Sequence, residues 1–304
     1  MLNETGRYAV VPLIAIIGAA LVVADERRAL SAPSGCRGRS VTIMGTNGDD
    51  RLRGTPRSDV IAARGGNDKV GGRGGDDIIC GGSGADVLLG GGGDDLLNGG
   101  RGPDTIVGAS GHDRLAGGNR HDTISGGGGN DRLRGGIDDD TLGGGRGSDM
   151  VNGGNMDDIV RGGGGDDRLI GEKDDDVLIG GPGEDLVHAG RQDDIVVGGG
   201  GRDQLQSGSG EDILRGNRDA DMLVGDGGSD VLVGSGGDDI LHGSDGDDTI
   251  EGNAGADVLL GERGDDNLDS RDGSIDNDVL NGGSHHDLRD LCRSDPDPET
   301  GCER

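Results

Sequence analysis

Between residues 50 and 266 an aliphatic residue follows two positions behind an aspartate every nine residues without a slip: Asp50 and Leu52, Asp59 and Ile61, Asp68 and Val70, onward to Asp266 and Leu268. The intervening positions are rich in glycine. Five residues before the aspartate, glycine stands in 22 of the 25 repeats, the exceptions being Ala63, Ala189 and Ser207, and two residues before it in 18. The unit is therefore G-G-x-G-x-D-x-U-x, with U aliphatic. In x-U-x the central side chain points one way and its neighbours the other, which predicts a three-residue strand with only U facing inward. The six preceding residues predict a turn whose glycines permit positive φ. One such strand cannot bury its apolar side alone, so nonamers must pair across a thin core and stack along an axis. With two nonamers per coil, residues 18 apart lie above one another at about the 4.8 Å of neighbouring strands. The fold expected is all-β, a right-handed parallel β-roll (β-solenoid) of about twelve coils over residues 45–269.

Composition sharpens this picture. The chain has 304 residues, 71 glycines, one tyrosine, no Phe or Trp, and a net charge of −30. Such a chain has no aromatic core to build, and its acidity argues against nucleic acid, whose phosphates need basic partners. Stacking at 18 residues sorts the aspartates into two columns, one running Asp50, Asp68, Asp86 and on to Asp266, the other Asp59, Asp77, Asp95 and on to Asp257. Two unit charges 4–5 Å apart repel by about 1 kcal/mol even in bulk water, so a cation is required between the rungs. Ca²⁺ suits oxygen donors in a flexible shell, whereas Mg²⁺ demands a tight octahedron. Zinc lacks its soft ligands, because the four cysteines are dispersed and the only adjacent histidines are His285 and His286.

On this nonamer the chain resembles the RTX, or haemolysin-type, calcium-binding repeat family over about 220 residues. The resemblance implies ions held between successive turns on one edge by Asp side chains and backbone oxygens. The metal ligands expected are Asp68, Asp77, Asp86, Asp95, Asp104, Asp113, Asp131, Asp149, Asp167, Asp185, Asp203, Asp212, Asp230, Asp239, Asp248, Asp257 and Asp266. Weaker sites are expected at Asp50, Asp59, Asp122, Asp140, Asp158, Asp176, Asp194 and Asp221. Seven nonamers lack the glycine two before the aspartate, carrying Arg57, Arg120, Asp138, Met156, Asp174, Gln192 and Asp219 instead. Five of these, from 120 to 192, fall 18 apart in one column, which supports an 18-residue coil independently. A non-glycine residue is costly at positive φ, so a different turn with weaker calcium binding is expected on that edge. His121, Asp139, Asp157, Asp175 and Asp193, each just before the repeat aspartate, stand where compensating ligands could come from.

Ahead of the repeats, the apolar run Tyr8 to Ala24 reads as a secretory signal within residues 1–32, cleaved after Ala24 or Ala32, with an uncleaved membrane anchor as the alternative. Residues 33–44 form an N-terminal cap in which Val41 to Met44 supply a first strand, with Ile43 in register with the U positions. Residues 270–304 hold degenerate repeats, resuming at Asp278 and Asp287, and a C-terminal cap. Four cysteines in an exported chain point to disulfides, with three pairings possible. Cys36 with Cys80 and Cys292 with Cys302 are favoured, one bridge at each end.

The outward flanks of the strands carry Val177, Ile179, Ile195, Val197, Ile213, Val231 and Val233, an aliphatic patch suited to self-association or docking. Arg114, Arg132, Arg134 and Arg168 form a loose basic stripe that offsets nearby aspartates or meets an acidic polysaccharide. Thr105, Thr123 and Thr141 are too few for an ice-binding lattice. No G-x-S-x-G elbow and no H-E-x-x-H occurs. The sequence therefore describes a non-enzymatic, secreted calcium-binding protein that folds on calcium and has a structural or cell-surface role. The alternative is a polysaccharide- or protein-binding module using an outward sheet.

Overall fold

The computed structural model describes Cys36, residues 39–271, 278–283 and 291–293. The apolar run at Tyr8–Ala24 lies outside them, and no helix among the described residues is long and apolar enough to cross a membrane. The chain from Ser34 onward is one compact unit. It is a β-solenoid of two parallel sheets, each with fourteen strands among the described residues. The first sheet takes the alternate strands Ile43–Met44, Val60–Gly65 and Ile78–Ser83 through Val258–Arg263 and Val279–Asn281. The second takes Arg51–Arg53, Lys69–Gly71 and Val87–Gly92 through Asn267–Asp269 and Leu291–Arg293. Pairing is parallel at a separation of 18, as in Thr105 with Thr123 with Thr141 and Leu115 with Leu133 with Val151. The twelve or so coils expected from the nonamers become fourteen rungs, because Ile43–Met44 extends the stack at one end and two strands beyond Asp269 extend it at the other.

Two expectations are corrected. Most strands have six residues rather than three, as in Thr123–Gly128. After the U position the chain bends at a glycine and rejoins the ladder, so Gly127 pairs with Gly145 and Gly128 with Arg146. The true turn shrinks to Gly129, Asn130 and Asp131, and glycine makes both bends possible by bringing no Cβ. Nor is U the only inward residue. Along Asp122, Ile124 and Gly126 alternate residues all face the interior, so the core holds an aliphatic column from Ile61 to Leu280 flanked by buried carboxylates. The small residue at the bend is needed there: a Cβ added to Gly126 would lie 2.3 Å from Asp131 Oδ2.

The exceptional turns also differ from expectation. Arg120, Asp138, Met156, Asp174 and Gln192 keep positive φ, between 70° and 81°, in the same left-handed sense as glycines such as Gly165 at 123°. The edge keeps its turn and moves each φ into the part of the left-handed region that an L-residue tolerates. At glycine positions the coil below comes very near, with Gly147 O only 2.3 Å from a Cβ built on Gly165.

At the C-terminal end the register widens to 21 at Val258 with Val279 and to 24 at Asn267 with Leu291. Asp278 is the ladder residue, as expected. Leu291–Arg293 rejoins the second sheet beside Asn267–Asp269, and Asp287 lies outside the described residues. Cys292 stands opposite Leu268 in register, and its pairing with Cys302 also lies outside. At the other end Cys36 is joined to Cys80, with Cα atoms 6.2 Å apart, and Ile43 pairs with Ile61.

Candidate functional site

The repeat aspartates form two ladders, one on each edge. In each, Oδ1 of one aspartate accepts the N–H of the aspartate 18 residues earlier, as Asp140 does from Asp122 at 2.7 Å and Asp149 from Asp131 at 2.8 Å, and across the widened register at the C-terminal end Asp278 accepts from Asp257 at 2.9 Å. The side chain that closes one coil thus belongs to the next. The second oxygen is different. From Asp68 to Asp257 every repeat aspartate has a buried Oδ2 with no hydrogen-bond partner, and the residues are almost wholly buried.

Burying an unpaired carboxylate oxygen is costly, because desolvation disfavours the charge. Burial accordingly pushes these carboxyls up, to about 6 at Asp113, Asp149 and Asp239 and to about 8 at Asp158, Asp176 and Asp194. The hydrogen bond from the neighbouring coil works the other way and only partly offsets burial. Neighbouring carboxylates add to the rise at Asp158, where Asp140, Asp139 and Asp157 all contribute. A file of buried, orphaned oxygens facing like charges fits a hard dication. No group of three or more His, Cys, Asp or Glu side chains that could cage a metal occurs among the described residues. Ions held here need main-chain oxygens or water to complete a shell of six to eight.

Asp50 and Asp59 stand apart from the columns they begin. Oδ2 of Asp50 accepts the N–H of Thr46 at 2.6 Å and its hydroxyl at 3.0 Å. Oδ2 of Asp59 accepts the same pair from Thr55 at 2.7 and 2.9 Å, and the Thr55 N–H is the main reason its carboxyl sits below the usual range. Threonine supplies here what a cation would supply further along. These threonines escaped the sequence reading, although each stands four before its aspartate where other repeats have a second glycine or its substitute.

A second, outer ladder also went unforeseen. The residue before each repeat aspartate often accepts the N–H of the residue 18 later, as Asp76 does from Asp94 at 3.0 Å and Asp94 from His112 at 2.8 Å. The sense is opposite to that of the inner ladder. Recurrent Asp and Asn at this position were the available signal. Asp157, Asp175 and Asp193, expected to offer ligands to the weaker column, take part in this outer ladder through Oδ1, accepting from Asp175, Asp193 and Glu211 at 3.2, 3.1 and 2.9 Å. His121 lies 3.8 Å from the Asp139 carboxylate on the same exposed strip.

Fold and columns together define a calcium-binding repeat solenoid. A family model for the RTX calcium-binding nonapeptide repeat (4 copies) matches in overlapping stretches that run from residue 44 to 268, and the chain belongs to that family. It binds several calcium ions. Among solved structures, the chain is similar to a hyperactive, Ca²⁺-dependent, β-helical antifreeze protein from an Antarctic bacterium, with 22% identity and a TM-score of 0.45, covering 74% of this chain and 87% of that one. No curated protein matches.

Proposed function

We propose that the protein works outside the cell as a calcium-loaded structural rod rather than as an enzyme. The observation that carries this is the run of buried, unpartnered Oδ2 atoms from Asp68 to Asp257: the solenoid is completed by cations, and the ion is part of its core. In a calcium-poor cytoplasm the chain stays expanded; in a calcium-rich exterior, binding to the native state alone stabilises the fold. The apolar Tyr8–Ala24 run supports export as a signal peptide, and a Cys36–Cys80 bridge is at home in an oxidising compartment. Calcium at the specific aspartates named above belongs to the same reading. Circular dichroism of the full chain with calcium titrated into chelated protein tests it. Strand signal should rise in parallel with calorimetric uptake of many ions. A chain equally folded in chelator would sink the proposal.

The second reading, a docking module, draws on one observation. Ile159, Val177, Ile195, Ile213 and Val231 are consecutive register partners on the outer side of the second sheet. The neighbouring row, with Ile179, Val197 and Val233, is interrupted by Arg215. Sedimentation of Ile195→Lys against the parent chain reads whether this row joins copies.

A further inference from the structure

A depression of about 410 Å³ opens on one edge where the turn Arg101, Gly102 and Pro103 meets the next turn at Asn119, Arg120 and His121. Arg101 and Asn119 are register partners in the first sheet, so the walls belong to consecutive coils. The volume falls within the range of small-molecule clefts, about 300–1,000 Å³.

Three features meet at this place. Like most of the described arginines, Arg101 and Arg120 form no ion pair with a carboxylate among the described residues, and here two of them line one depression. The outer positions of this edge read Asn67, Ala85, Pro103 and His121 in successive coils, with no carboxylate, before Asp139, Asp157, Asp175 and Asp193 begin the acidic strip. Finally, the outer ladder is broken. Ala85 donates its N–H to Asn67 and Ser148 donates to Asn130, at 2.8 and 3.1 Å. The corresponding acceptor for His121 would be Pro103, whose ring has none.

Two unpaired guanidinium groups, a main-chain N–H lacking its ladder partner and an apolar proline ring make a coherent set of recognition groups. A guanidinium fork binds a planar carboxylate through two parallel hydrogen bonds, and the Pro103 ring offers an apolar plate to the C–H face of a pyranose. We propose that this pocket binds the carboxylate of an acidic saccharide, with Arg101 and Arg120 on the charge and Pro103 beneath the ring. The inference needs only the calcium-folded solenoid and is independent of where the protein works.

The test uses the full chain in millimolar calcium, its fold verified by circular dichroism, titrated calorimetrically with digalacturonate, cellobiose and a sulfated disaccharide. Digalacturonate should bind and cellobiose should not. Arg120→Gly should weaken digalacturonate at least tenfold. Because Arg120 has a φ of 81° and most repeats hold glycine there, this replacement removes the cation while easing the backbone, so misfolding does not explain a loss. Arg101→Gln should weaken binding by a similar factor. A folded parent chain that ignores digalacturonate, an Arg120→Gly chain that binds it equally well, cellobiose bound alongside it, or a preference for the sulfated disaccharide would each overturn the assignment. Failure of calcium-driven folding would show in the dichroism and not in the saccharide titration.

Discussion

Asp158 Oδ1 accepts the N–H of Asp140 at 2.7 Å across one coil, while its Oδ2 remains buried and unpartnered. One carboxylate thus does two jobs, closing the neighbouring coil and presenting a second oxygen where water cannot reach it.

Without calcium, acid should fold the protein and base should unfold it. The Asp158, Asp176 and Asp194 carboxyls are raised by burial from 3.8 to about 8 in the folded state. The native state therefore holds more protons than the unfolded chain between those values, and stability falls as pH rises through that window. In chelator, strand dichroism should be largest near pH 4 and be lost toward pH 8. With saturating calcium the loss should vanish, and calcium binding near pH 7 should release protons, measurable in buffers of different ionisation enthalpy.

The two edges should differ in how protons compete with calcium. Near pH 6.5 Asp158 still carries its proton, whereas Asp149, raised only to about 6, is mostly ionised. Asp149→Asn should therefore weaken calcium uptake more than Asp158→Asn at that pH, and the two should converge above about pH 8.5. Calorimetric stoichiometry of both variants at the two pH values decides it.

Adjacent glycines should respond oppositely to alanine. A Cβ on Gly164 meets nothing within 4 Å, while one on Gly165 would sit 2.3 Å from Gly147 O at a φ of 123°. Gly164→Ala should be neutral or stabilising by up to about 1 kcal/mol. Gly165→Ala should cost about 1–3 kcal/mol, read by thermal melts in saturating calcium.

Met156→Gly should stabilise the rod. Met156 is 47% exposed and holds a φ of 72°, so its side chain contributes little packing while its backbone carries left-handed strain of about 1 kcal/mol. An increase of a few degrees in the calcium-bound melting temperature is expected. A decrease would mean that a run of matching φ values matters more than the strain at one residue.

The periodicity made the coil, the sheet register and the aliphatic column legible, because each follows from Asp-x-U recurring at nine and from exceptions recurring at 18. It hid the direction of the aspartate side chain. Alternation counted from Leu52 or Ile124 places the aspartate on the inward face, but carboxylates are expected in water unless something neutralises them. The left-handed turn at Met156 was obscure for a related reason: propensity argues against it, and the stacking of neighbouring coils overrides propensity. Threonine capping at Asp50 and Asp59 depends on side-chain hydroxyls reaching across four residues, a relation that the nonamer pattern does not contain.

Thr46 and Thr55 give the rod unequal ends. At the first coils the carboxylates are satisfied by covalently attached donors, so these turns can close before any ion arrives, next to the joined Cys36 and Cys80. From Asp68 to Asp257 each rung offers an oxygen that has no hydrogen-bond partner within the protein. On the proposed reading, assembly has a seed at one terminus that needs no ion and a tip expected to advance coil by coil with the ions it captures, so that calcium sets how far the zipper runs.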